Sequence, residues 1–184
     1  MIILVAGVYG VGKTTLCGML ARELGCTAAS ASTLIRQRRG KTTWSKNKNT
    51  DEIAKNQQYL IESLDELRAH NQSIILDGHF ALLDSNGIVT KIQRSVFDAL
   101  NIDAIVLIEC DVDEIALRLS ARDSRSWTYS TIAALMAAER ENAIDFHKVS
   151  GVPLKIFDFN APQEVLDYIT AFKDVSNDPR IKEH

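Results

Sequence analysis

Gly7, Gly10, Gly12, Lys13 and Thr14 have the types and spacing for nucleotide chemistry. They lie in "GVYGVGKTT", residues 7–15, which fits G-x-x-x-x-G-K-[ST] directly after an apolar run and before a helical one. Glycines let the backbone curl, so that successive N–H groups and the positive end of the following helix face an anion. Lys13 can reach β- and γ-phosphates, the Thr14 hydroxyl can ligate Mg²⁺, and Val11 and Thr15 complete the nucleotide-binding set. The pattern predicts binding of ATP or GTP and leaves the reaction open.

A second carboxylate is expected nearby. "SIILDGHF" closes an apolar run with Asp77, where an Asp can hold the Mg²⁺ shell, through water, or orient an acceptor; it can also be a turn residue before Gly78. His79 is a candidate phosphate contact or a structural histidine. Arg118, Arg122, Arg125 and Arg140 flank "DSRSWTYS". Guanidinium groups stay charged and grip phosphate oxygens through paired hydrogen bonds, although the same residues would also suit a solvated helix face. Trp127 can stack on a base or pin this loop to the core, and packing is the preferred reading. Glu109 and Asp111 stay outside the catalytic set, Asp111 being explained as a helix cap with Glu114 as its capping-box partner.

These residues need elements to hold them. Short apolar runs at 2–6, 26–30, 73–77, 104–109 and 153–159 read as strands covered on both faces. Amphipathic stretches at 13–24, 51–70, from Asp111, 129–148 and 162–173 read as helices, the fourth mainly core packing. Strand–helix alternation predicts an α/β, three-layer P-loop fold, a five-stranded parallel sheet with helices on both faces. One domain is expected over residues 1–174, with an acceptor-binding segment at 31–70, a short lid at 122–130 and a polar tail at 175–184.

A net charge of −3 and a pI near 5.8 argue against bulk binding to nucleic acid or anionic membrane. No run approaches the roughly 20 apolar residues of a membrane span, and the N-terminus lacks the basic flank of a signal peptide. Cys17, Cys26 and Cys110 show no CxxC spacing and read as reduced thiols of a cytoplasmic protein. The basic segment 32–48 carries six Lys or Arg and no acid. Gly40 is expected to break it, leaving a flap that closes over an acceptor. Nucleic-acid binding, with Trp44 stacking a base, is the minority reading.

The run Gly7–Thr15, "SASTLIR", "LDGHF", "RLSARDSR" and "ERENA" together resemble the adenylate kinase-like nucleoside monophosphate kinases, nearest in style to the archaeal type. The resemblance implies that Ser32 and Arg36 open the acceptor helix, with Arg36 on the monophosphate. It implies that Asp77 and His79 form the Asp-x-His pair, that Arg122 and Arg125 are lid arginines, and that Arg140 faces phosphate. Two departures fall on the acceptor side: Thr33 replaces the usual Gly-Asp turn, and "DGHFA" lacks the Arg of the common adenylate kinase run.

The expected activity is transfer of the γ-phosphoryl group of ATP, with Mg²⁺, to a nucleoside monophosphate, AMP-like. Alternatives are another small acceptor, a polynucleotide end, or a P-loop ATPase working with a protein or RNA partner. An AAA-type motor is disfavoured because the chain is short for the usual additional helical lid domain. The oligomeric state is left open.

Overall fold

A computed structural model describes residues 1–41, 51–70, 73–84, 86–123 and 127–177. β1 (Ile2–Ala6), β2 (Thr27–Ser30), β3 (Ile74–Asp77), β6 (Ala104–Glu109) and β7 (Leu154–Asp158) form one sheet in the order β2-β3-β1-β6-β7. All its pairings are parallel. The five expected strands are the five of this sheet. Between them run α1 (Lys13–Leu24), α2 (Ala31–Lys41), α3 (Asp51–His70), α4 (Arg94–Leu100), α5 (Val112–Arg122), α6 (Tyr129–Ser150) and α7 (Pro162–Asn177).

The period-2 geometry of the strands explains why both faces are apolar. In β1, Ile3 and Val5 join one buried cluster with Leu16 and Leu20 of α1 and Val165 and Ile169 of α7. Ile2, Leu4 and Ala6 join the other, with Leu60 and Leu64 of α3 and Phe97 of α4. Helix α6 serves both layers. Ile132 and Leu135 of its first half belong to the first cluster, Ala143 and Phe146 of its second half to the other. Its middle residue Glu139 therefore sits where the helix passes from one layer to the other.

Several expectations are corrected. Helix α2 runs through Gly40 to Lys41. Leu34 and Ile35 of this helix pack against the second buried cluster and Arg38 pairs with Glu62 and Glu66 of α3, so the helix carries through a glycine whose cost is only roughly 1 kcal/mol. The flap expected beyond it, with Trp44, Lys46 and Lys48, lies outside the described residues. Asp111 is the N-cap residue of α5, but its side chain makes no capping bond; Glu114 instead accepts from Cys110 Sγ at 3.0 Å and Arg118 at 2.9 Å. Helix α7 reaches Asn177, three residues into the expected tail.

Helix α4 and an antiparallel hairpin, β4 (Ala81–Leu83) with β5 (Val89–Lys91), were not expected. The hairpin bends at Gly87, φ +79°, where the Asp84 carboxylate accepts the N–H groups of Asn86 and Ile88, each at 2.8 Å. Asn-Gly between apolar runs was the available signal. The hairpin is anchored to α6 by Asn142, whose amide donates to Phe80 O at 2.8 Å and Ile92 O at 2.9 Å.

Asn142→Ala should therefore lower unfolding stability by about 1–3 kcal/mol, two bonds being lost and two carbonyls left without this donor. Urea denaturation checks this, and an unchanged midpoint contradicts the anchoring role.

Candidate nucleotide and phosphoryl-transfer site

The loop between β1 and α1 owes its shape to its glycines. Gly7 has φ +149°, and a Cβ there would lie 2.6 Å from the Ile108 carbonyl oxygen. Gly12, at φ +103°, caps α1; a Cβ there would meet the Phe159 ring at 2.2 Å. No side chain caps α1, which leaves its N-terminus suited to an anion.

Lys13 is 6% exposed and lies over this loop, its ammonium donating to Gly7 O at 2.7 Å and Val8 O at 3.1 Å. Burial lowers its pKa, opposed by the charges of Asp77 and Glu139 and reinforced by Arg122. The Thr14 hydroxyl donates to Asp77 Oδ2 at 2.7 Å, and Asp77 Oδ1 stands 3.9 Å from the Lys13 ammonium. The parallel register places Asp77 beside both Val5 of β1 and Ser30 of β2. Two residues separated by 63 positions thus present hard oxygen donors together, a set that suits Mg²⁺ completed by phosphate oxygens and water. Among the described residues no group of three or more His, Cys, Asp or Glu could hold a metal ion by itself.

Glu139 is the residue that sequence reasoning missed. It is 1% exposed, and its carboxylate accepts three backbone N–H groups: Gly7 and Phe80 at 2.9 Å on Oε1, and Ala81 at 2.6 Å on Oε2. Desolvation pushes its pKa up to about 7, against the pull of those N–H groups and of Lys13. The signal was present in "ERENA": an acidic residue inside an otherwise apolar stripe of a long helix. His79 is held neutral, with a pKa well below 6.5, first by burial and then by Lys13, while a hydrogen bond to the Gly7 backbone opposes. Its Nδ1 is buried without a hydrogen-bond partner. The ring packs on Tyr9 of the loop at 4.7 Å, and Tyr9 meets Trp127 at 5.8 Å.

The arginines divide. Arg118 donates to Val11 O at 3.2 Å and lies 4.1 Å over the Phe159 ring, a planar cation–aromatic surface beside Gly12. Arg122 pairs with Asp123, which also accepts the Trp127 indole N–H at 2.9 Å. Arg140 pairs with Glu109 at the end of β6. Arg125 lies outside the described residues. On the other side, Ser32 Oγ is 3.1 Å from Ser30 Oγ, and the exposed Arg36 donates to Thr33 Oγ1 at 3.1 Å. The structure thus brings together Lys13, Thr14, Asp77 and His79, with Ser32 at the neighbouring strand end. Arg36 and Arg140 are held by local partners.

The raised pKa of Glu139 carries a signed prediction. The folded chain binds this proton more tightly than the unfolded one, so the associated stability is complete below about 4.5 and is lost as pH rises through about 7. His79 acts in the opposite sense, its contribution being lost as pH falls through 6.5. Comparing the native chain with Glu139→Gln at each pH isolates the glutamate. The native chain should lose roughly 3 kcal/mol relative to the variant across this range. A pH-independent difference in denaturation would contradict the assignment.

Comparison with known proteins places this geometry. A gluconokinase from Sinorhizobium meliloti 1021 superposes with a TM-score of 0.56 at 12% identity, covering 99% of this chain and 97% of the other. The YorR protein of Bacillus subtilis, solved in complex with phosphorylated GDP, gives 0.63 at 16% identity, with 96% and 97% covered. A shikimate kinase from Bacteroides thetaiotaomicron gives 0.56 at 16%, with 95% and 98% covered. At such identities the likeness is one of fold, the α/β fold of P-loop kinases, and it does not single out the adenylate kinases. Comparison with curated proteins finds no match. A family model described as an AAA domain matches residues 6–135, from the end of β1 into α6. With most of the chain inside that match, this protein belongs to the AAA domain family.

Proposed function

We propose that the protein is a P-loop phosphotransferase that moves the γ-phosphoryl group of ATP to a small acceptor, a nucleoside monophosphate such as AMP. One observation carries this reading: Lys13, Thr14 and Asp77 meet at the C-terminal edge of the sheet, with Thr14 and Asp77 bonded at 2.7 Å and the ammonium 3.9 Å away. Phosphoryl transfer asks for alignment and neutralisation of charge more than for covalent chemistry. Lys13 supplies fixed positive charge at the donor phosphates. Thr14 and Asp77 would hold Mg²⁺, whose contribution when bound is charge neutralisation on the phosphate oxygens. Arg118 and Phe159 offer a face for the nucleotide base.

The register supports the acceptor side of this reading. Ser30 pairs with Asp77, so α2 begins beside the carboxylate and brings Ser32 and then Arg36, which pairs with no carboxylate among the described residues. In this reading Arg36 holds the acceptor phosphate, His79 lines the site, and Arg122, Arg125 and Arg140 exchange present partners for phosphate oxygens. The working unit is one kinase domain over residues 1–174, with the acceptor segment at 31–70 and a lid at 122–130. The solved relatives named above include kinases for gluconate and shikimate, so a non-nucleotide acceptor belongs in the same test. A second reading, ATP hydrolysis driven by a partner, uses the same phosphate site and belongs in the same test. No helix among the described residues is long and apolar enough to cross a membrane.

Purified protein with Mg²⁺ and ATP, offered AMP, other nucleoside monophosphates, gluconate, shikimate or no acceptor, decides between these. Formation of a nucleoside diphosphate is the expected result. ADP release that ignores every acceptor would overturn the transferase reading and favour the second one. Lys13→Ala should lower turnover by about 10²–10³-fold without unfolding the chain, and near-normal turnover contradicts the site. Arg36→Ala should raise the acceptor KM well above that of a Lys46→Ala/Lys48→Ala double variant. Equal effects would instead point to a ligand spread along the basic segment.

A further inference from the structure

The contacts around Glu139 close into a ring. The Gly7 peptide donates its N–H to Glu139 Oε1 and accepts the Lys13 ammonium on its carbonyl. Lys13 faces Asp77, and Asp77 holds Thr14. Three residues after Asp77 the chain returns, through the Phe80 N–H, to the same Oε1 atom. The Ala81 N–H, on Oε2, ties in the start of the hairpin. Glu139 touches no residue of the candidate Mg²⁺ pair, yet it joins the two segments that carry them: the phosphate loop before α1 and the turn after β3. Its backbone is fixed elsewhere, since α6 is buried in both layers of the core.

We infer that Glu139 is a positioning residue that sets the separation of Thr14 from Asp77 and thereby the affinity of the site for Mg²⁺ with nucleotide. The inference rests on the proposed phosphoryl-transfer site but not on the identity of any acceptor. A carboxylate can accept all three N–H groups at once. A glutamine cannot: its oxygen can serve Gly7 and Phe80, but its amide N–H₂ then faces the Ala81 N–H, donor against donor. Outer-shell partners of metal ligands act in this way, through orientation, and their loss typically costs about 10–100-fold in metal affinity or activity.

The test measures ADP binding by calorimetry over a range of Mg²⁺ concentrations, for the native chain, Glu139→Gln, Glu139→Asp and Asn142→Ala. Asn142→Ala is the structural comparator, because Asn142 holds the same segment from the same helix and does not touch the phosphate loop. Glu139→Gln should bind ADP without Mg²⁺ about as well as the native chain, and should need about tenfold more Mg²⁺ for half-saturation. Asn142→Ala should lose stability and keep the native Mg²⁺ dependence. If an acceptor is found, Glu139→Gln at saturating Mg²⁺ should lose kcat by about tenfold with a smaller change in KM for ATP.

Unchanged Mg²⁺ dependence in Glu139→Gln overturns the inference, as does an equal shift in Asn142→Ala. Where Glu139→Gln does not fold, Glu139→Asp, which keeps the charge on a shorter arm, takes its place with the same expectation. Failure of both to fold would assign Glu139 a purely structural role and also overturn it. A native chain that transfers to no acceptor, with the Mg²⁺ shift still present in Glu139→Gln, would remove the transferase reading and leave this inference standing.

Discussion

A buried carboxylate bonded to three backbone N–H groups is the constraint on which the rest of this site depends. Isolated charge in an apolar interior is costly, and burial accordingly pushes Glu139 up to about 7. Its partners are what make the position tolerable. Two of those N–H groups, at Gly7 and Phe80, belong to segments that leave adjacent parallel strands at the same edge of the sheet. Outside a ladder they need an acceptor, and α6 delivers one from the far side of the loop. The phosphate loop and the turn that carries Asp77 are thereby held by one group.

This depends in turn on the layering. Helix α6 begins in one core and ends in the other, its axis passing the strand ends on the way. A helix confined to one face of the sheet could not set a side chain between β1 and β3. The same passage lets Asn142, one turn later, hold the hairpin, and lets Arg140 reach Glu109 at the end of β6. Three consecutive functions of one helix thus follow from its path over the sheet edge.

How much of this could be read beforehand follows the reach of the interactions. The five sheet strands, α1 and the phosphate loop were legible because local rules produce them: apolar runs for strands buried on both faces, and glycines where φ is positive. Asp77 was legible because a carboxylate at a strand end is conspicuous. Glu139 was not, since its partners are backbone groups 132, 59 and 58 residues away and backbone groups carry no sequence label. Gly40 misled because a helical glycine costs only roughly 1 kcal/mol, while Leu34 and Ile35 hold the same helix against the core. The Asp111 capping box failed for a similar reason, Glu114 being drawn to Arg118, which the loop and Phe159 already hold in place.

Amide hydrogen exchange at Gly7, Phe80 and Ala81 in the unliganded protein tests the central claim most directly. If the Glu139 carboxylate joins the phosphate loop to the Asp77 turn, all three amides exchange slowly and at a common rate, opening as one unit although two chain segments are involved. Exchange at Gly7 on the timescale of an open loop, independent of a protected Phe80 and Ala81, would contradict it.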